Sequence, residues 1–126
     1  MASWEDVARI VGELPETTEA SPRNWRVRKK LIAWERRLRK ADYAALGAAA
    51  PDGDILGARV SDEGVKFALI ADDPGVYFTT PHFDGYPAIL VRLAEVGVSE
   101  LEELITEAWL AQAPKTLVKK FLGEDS

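Results

Sequence analysis

Residues 23–40 read RNWRVRKKLIAWERRLRK. Trp25 and Val27 alternate with Arg26 and Arg28, which is the period of a half-buried strand. Lys29 and Lys30 predict a turn. Leu31 to Glu35 predict a second strand, and because Leu31, Ile32, Ala33 and Trp34 make both its faces apolar, it belongs inside a sheet. The segment therefore reads as a hairpin with inward tryptophans, a charged tip and a charged exit. It holds nine bases against one acid, +8, while residues 41–113 hold three bases against thirteen acids, −10. Segregation of this kind makes a local field that the net charge of −5 hides.

Before the hairpin, Ser3 and Asp6 have capping-box spacing, and Trp4, Val7, Ile10, Val11 and Leu14 recur at helical intervals. Pro15 stops this helix, and LPETTEASP (14–22) reads as a polar connection. Beyond the hairpin, Leu38, Ala41, Ala45 and Ala49 predict one helical face. ILGARV (55–60) and VKFALI (65–70) predict two strands joined by an SDEG hairpin loop. Asp72-Asp73-Pro74 reads as a cap with a single turn after it. TTPHFDGYP (79–87) is a loop, and AILVRL (88–93) a strand. Ser99 predicts a capped helix with the stripe Leu101, Leu104, Ile105, Ala108 and Trp109. After Ala113-Pro114 a last short helix turns Leu117, Val118, Phe121 and Leu122 inward and Lys115, Lys119 and Lys120 outward, with Gly123 as its stop.

About five hairpin-joined strands with helices at the ends predict an α+β fold, an antiparallel sheet with helices on one face, and argue against a parallel sheet. The 126 residues fit one domain, 1–126, large enough to bury its own core. There is no cysteine, so disulfides, a thiol nucleophile and thiolate metal sites are excluded. No apolar run reaches the roughly 20 residues of a membrane helix. The N-terminus carries Glu5 and Asp6 where a signal peptide carries bases, so the cytoplasm is the expected compartment.

Four blocks in this order, LPETTEA, WRVRKKLIAWERRLRKAD, YFTTPHFDGYPAILVRL and ELEELITEAWLAQAPKTLV, resemble the MmcQ/YjbR family of small bacterial proteins in an actinobacterial-like form. The resemblance spans roughly Val7 to Phe121. It implies a compact two-layer α+β sandwich similar to the CyaY (frataxin-like) or secretion-chaperone type. Members often carry the label DNA-binding, which follows from fold likeness to double-wing domains. The resemblance brings no catalytic residues, no cofactor and no defined ligand, and function must be argued from a site.

Two candidate sites follow. Arg26, Arg28, Lys29, Lys30, Arg36, Arg37, Arg39 and Lys40 would form a wing-like basic surface for the phosphates of DNA or another nucleic acid. The competing reading is a solvated hairpin whose bases balance the acids elsewhere. The second candidate is the TTPHFDGYP loop, where the sole histidine, His82, stands with Asp84 and Tyr86. It would line a cleft for a small ligand or protein partner, or be a shaped loop only. One histidine and no cysteine make a poor metal set, and Glu5, Asp6 and Glu13 are too few for an acidic iron-binding edge. The acids Asp52, Asp54, Asp62, Glu63, Asp72 and Asp73 read as turn and cap chemistry, the tryptophans as core. No Walker loop, G-x-S-x-G or HExxH occurs. The expectation is a non-enzymatic monomer or weak dimer with no cofactor and no membrane partner.

Overall fold

The computed structural model describes residues 2–51 and 53–123. Ser3 opens α1 (Trp4–Gly12) with the expected reciprocal cap: Asp6 N–H donates to Ser3 Oγ, and Ser3 N–H to Asp6 Oδ2 at 2.9 Å. These bonds, from the Ser3 backbone first, outweigh desolvation and hold the Asp6 carboxyl below its usual range. After α1 come β1 (Thr17–Ser21), β2 (Asn24–Val27), β3 (Lys30–Glu35), α2 (Lys40–Leu46), β4 (Ile55–Arg59), α3 (Glu63–Asp72), β5 (Tyr77–Phe78), β6 (Ala88–Arg92), α4 (Val98–Gln112) and α5 (Lys115–Leu122). The strands form one antiparallel sheet in the order β1-β2-β3-β4-β6-β5. This is the expected α+β class, with six strands rather than about five.

The β2–β3 hairpin forms, with its turn at Arg28-Lys29 rather than Lys29-Lys30, and β3 lies inside the sheet. Between Trp25 and Arg26 the register slips by one residue, so β3 bulges. The bulge turns both Ile32 and Ala33 to the main core, which explains the continuous apolar run. Across that face Trp25, Ala33, Ala58 and Ile89 lie in register, and α1 and α4 cover them. Trp109, fully buried on α4, donates its indole N–H to Pro15 O at 3.0 Å.

The opposite face carries a smaller core of Ile55, Phe78, Phe83, Ala88 and Leu90, against which Trp34, Leu38 and Leu46 pack. Trp34 pairs across the sheet with Gly57, and a Cβ at Gly57 would stand 2.3 Å from Trp34 Cε2. Gly57→Ala is therefore expected to lower stability by about 1–3 kcal/mol through overpacking. Gly12→Ala, with open space at its Cβ, is the control and should cost nothing in the same urea titration.

Several expectations are corrected. VKFALI is not a strand: it lies in α3, and SDEG is no hairpin loop, because Asp62 Oδ1 accepts from Val65 N–H at 2.9 Å and caps the helix. The apparent alternation misled because Val65 and Phe67 are 39% and 56% exposed while Lys66 between them is fully buried. Part of LPETTEASP is the edge strand β1, invisible to apolar periodicity because it contributes backbone pairing with mostly exposed side chains. Ala41 and Ala45 of α2 face solvent, as does Ala49 in the turn after it, and Asp42 is the buried residue instead. The α4 cap is Gly97, not Ser99. Leu122 is exposed. Asp52 lies outside the described residues.

Candidate functional site

The β2–β3 turn is built from charged residues. Arg28 adopts φ +54° and Glu16 φ +56°, conformations that non-glycine residues rarely hold without support. The support is mutual. Arg28 Nε and Nη2 donate to the Glu16 carboxylate at 2.8 and 3.2 Å, and Arg28 N–H donates to Glu16 O at 3.0 Å. The hydrogen bond from Arg28 holds the Glu16 carboxyl below its usual range, and the charge of Lys120 adds to this. Arg26 Nη1 donates to Lys29 O at 2.9 Å and fastens the turn.

At the other end of β3, Arg36, its side chain 9% exposed, pairs with the buried Asp42 at 2.8 Å and lies over the Phe83 ring at 5.0 Å. Arg37 is 88% exposed, 3.8 Å from Glu35, which also holds Arg23 at 2.9 Å. Lys29, Lys30, Arg39 and Lys40 are exposed, and among the described residues no carboxylate lies within 4.0 Å of the cationic group of any of them. Thus the eight candidate cations do not form one continuous face. Arg28 and Arg36 are held in structural pairs, and the rest divide between two ends of β3, about 20 Å apart at 3.3 Å per residue.

Sequence reading missed what joins the turn end. Gln112, at the end of α4, donates its Nε2–H to Leu31 O at 3.0 Å, so α5 begins beside the β2–β3 turn. Its lysines 115, 119 and 120 are exposed. A contact between residues more than eighty positions apart leaves no local pattern to read.

The TTPHFDGYP loop folds onto the second face of the sheet. Its pin is Lys66 of α3, whose ammonium donates to Phe83 O at 2.7 Å and Tyr86 O at 3.1 Å, with Glu63 at 3.6 Å. Phe83 enters the small core, and Arg59 lies over Tyr86 at 4.7 Å while donating to its hydroxyl at 3.1 Å. His82 meets Phe83 edge-on at 4.9 Å. His82 and Tyr86 border a shallow hollow of about 360 Å³ with Leu31, Trp34, Arg36 and Phe83, whereas Asp84 lies outside it. Among the described residues no hydrogen bond joins His82 to Asp84 or Tyr86.

A larger cavity, about 420 Å³, opens between α3 and α4. It was not foreseen, because VKFALI read as a strand offers no helix to wall it. Val60, Val65, Leu69 and Leu104 are its apolar lining. Asp72, Asp73, Glu100, Glu103 and Glu107 border it. Tyr77 stands on its wall, its hydroxyl pushed up to about 12 by burial and by the charge of Glu100. Among the described residues no group of three or more His, Cys, Asp or Glu side chains converges on a metal position. No helix there is long and apolar enough to cross a membrane.

The YjbR family model matches residues 12–111. The chain is 72% identical to an uncharacterized protein of Mycobacterium bovis, Mb2600, and equally to one of Mycobacterium tuberculosis, Rv2570, with 98% of each chain covered. Its fold is similar to the crystal structure of the Deinococcus radiodurans protein DR2400, which carries a DUF419 domain. The TM-score is 0.64 at 18% identity, covering 98% of this chain and 89% of that one. The chain belongs to the YjbR family.

Proposed function

We propose that this YjbR-family protein is a non-catalytic module that holds the phosphate backbone of nucleic acid on one end of its fold. The observation that carries the reading is the meeting of two basic segments distant in sequence. The β2–β3 turn contributes Lys29 and Lys30, and α5 contributes Lys115, Lys119 and Lys120, tied together through Gln112 and Leu31. Among the described residues none of these five has a carboxylate within 4.0 Å. Lysine ammoniums suit phosphate as point charges and read no sequence. Trp25 and Trp109 are buried, so base stacking on them has no part.

Anisotropy of a labelled duplex tests this. With about four phosphate contacts, affinity should fall roughly 10²-fold between 50 and 200 mM salt. The variants K29A/K30A and K119A/K120A should each flatten the salt dependence, on unrelated duplex sequences alike. R39A/K40A, at the far end of β3, should leave it unchanged. No binding at 50 mM salt, or equal losses from all three variants, would reject the reading. Arg28 is left intact because it holds the turn.

A second reading, a small ligand or protein partner at His82 and Tyr86 without Asp84, rests on the 360 Å³ hollow beside the loop. If it holds, a fragment screen by amide chemical shifts should give hits that move Trp34, His82 and Phe83 together. A screen in which those amides stay fixed ends it.

A further inference from the structure

The hollow on the second face of the sheet and the basic turn meet at Leu31. That residue borders the hollow, Lys30 immediately precedes it, and its carbonyl is the one Gln112 holds. The bulge in β3 makes this border. It turns Ile32 and Ala33 to the main core and leaves Leu31 and Trp34 together on the other face, three residues apart rather than two. His82, Phe83 and Tyr86 of the 79–87 loop wall the space beside them.

The hollow suits a flat ring. Trp34 Cε2, Cζ2 and Nε1 lie over Gly57, where any Cβ would collide with them, so the indole rests on bare backbone. Trp34 is half-buried rather than sealed, His82 is exposed, and Tyr86 is 38% exposed. Polar groups here are also unused. Trp109 donates its indole N–H to Pro15 O, and that of Trp4 is closed off without a partner. Among the described residues the indole N–H of Trp34 has no acceptor, and it is not closed off from solvent. The His82 ring likewise makes no hydrogen bond there. No Asp or Glu borders the hollow, while Arg36 brings a guanidinium to it, so a phosphate nearby meets no repulsion. At about 360 Å³ the space is at the small end of ligand pockets, about 300–1,000 Å³, which is room for one heterocycle.

A duplex keeps its bases stacked and paired, out of reach of such a hollow. We propose, on the nucleic-acid reading above, that the hollow takes one base of a single strand, stacked on Trp34, while the neighbouring phosphates run to the β2–β3 turn. Every base has a π-face, so the stack is sequence-tolerant. The indole N–H and the His82 ring then face the polar edge of that base. The lysines hold either form of nucleic acid, and the hollow distinguishes them.

Anisotropy at about 50 mM salt tests this with two labelled strands of equal length, oligothymidylate and an abasic strand carrying the same phosphates. Oligothymidylate should bind about tenfold more tightly, as expected for one base stack. Trp34→Leu should remove that advantage and leave abasic binding unchanged. Trp34→Phe, which keeps a ring face, should retain most of it. K29A/K30A should weaken both strands alike. The side-chain N–H resonance of Trp34 should shift with oligothymidylate and stay fixed with a duplex. Equal affinity of the wild-type protein for the two strands would overturn the proposal, whether or not Trp34→Leu folds, and would leave the role of the lysines standing. A Trp34→Leu protein that unfolds at the wild-type temperature and still favours the base-bearing strand would overturn it too. No binding of any probe would reject the nucleic-acid reading itself and the base site with it.

Discussion

Lys66→Met is expected to destabilise the protein by about 2–4 kcal/mol, and Lys66→Ala by about 4–5 kcal/mol. The ammonium of Lys66 is fully buried and meets three acceptors: two backbone carbonyls of the 79–87 loop, and the Glu63 carboxylate. Methionine preserves most of the volume but removes two charge-assisted hydrogen bonds, each the kind worth about 1.5–3 kcal/mol. Phe83 O keeps the Tyr86 N–H at 3.0 Å and Tyr86 O keeps the Ala88 N–H at 2.8 Å, which holds the total to the lower figure. Alanine adds a cavity under α3. Urea unfolding of both variants checks the magnitudes. Proteolysis within residues 79–87 checks the cause, because a loop without its pin should be cut faster at native conditions. A Lys66→Met protein within 1 kcal/mol of wild type, as stable to protease, would mean that Phe83 packing alone holds the loop.

Asp42→Ala comes next, at about 3–5 kcal/mol, the usual cost of removing one partner from a buried ion pair. It leaves the Arg36 guanidinium buried over Phe83 and takes the acceptor from Arg39 N–H, which donates to Asp42 Oδ2 at 2.8 Å. Burial pushes the Asp42 carboxyl up, but the Arg39 N–H and the Arg36 charge outweigh it and bring the group below its usual range. The sign follows. A carboxyl depressed in the folded state stabilises fully above its unfolded value near 4, and loses that contribution as pH falls through the folded value. The deficit of Asp42→Asn should therefore be largest near neutrality and shrink below about pH 4. Unfolding of both proteins at pH 7 and pH 3 decides it, and an unchanged gap would show that the charge of Asp42 is not what stabilises.

The two residues explain why part of the chain was legible and part was not. Trp25, Val27 and the Leu101–Trp109 stripe announce themselves by period, because each buries an apolar side chain on a regular element. Lys66 and Asp42 break the same rule, being charged residues inside. A sequence reader places Lys66 on the surface, assigns the alternating Val65, Phe67 and Leu69 to a strand, and so loses both α3 and the cavity it walls. Likewise α2 presents its alanines to solvent because Arg36 draws Asp42 inward.

The basic stretch shows the same division. Its composition and its two strands are legible, and the YjbR resemblance agrees with the family match over residues 12–111. Which of its charges remain available is a tertiary matter. Arg28 is claimed by Glu16, Arg36 by Asp42, and Lys30 adjoins Leu31, whose carbonyl is held by Gln112 at the end of α4.

By itself the sequence determined the α+β class, the capped first helix, the central hairpin and the inward tryptophans, because these follow from local period and capping chemistry. Only the tertiary structure decided the edge strands, the helical state of residues 63–72, the buried charges and the two charged ends. Each of those depends on partners brought together from distant parts of the chain, and a local pattern carries no record of what will stand beside it.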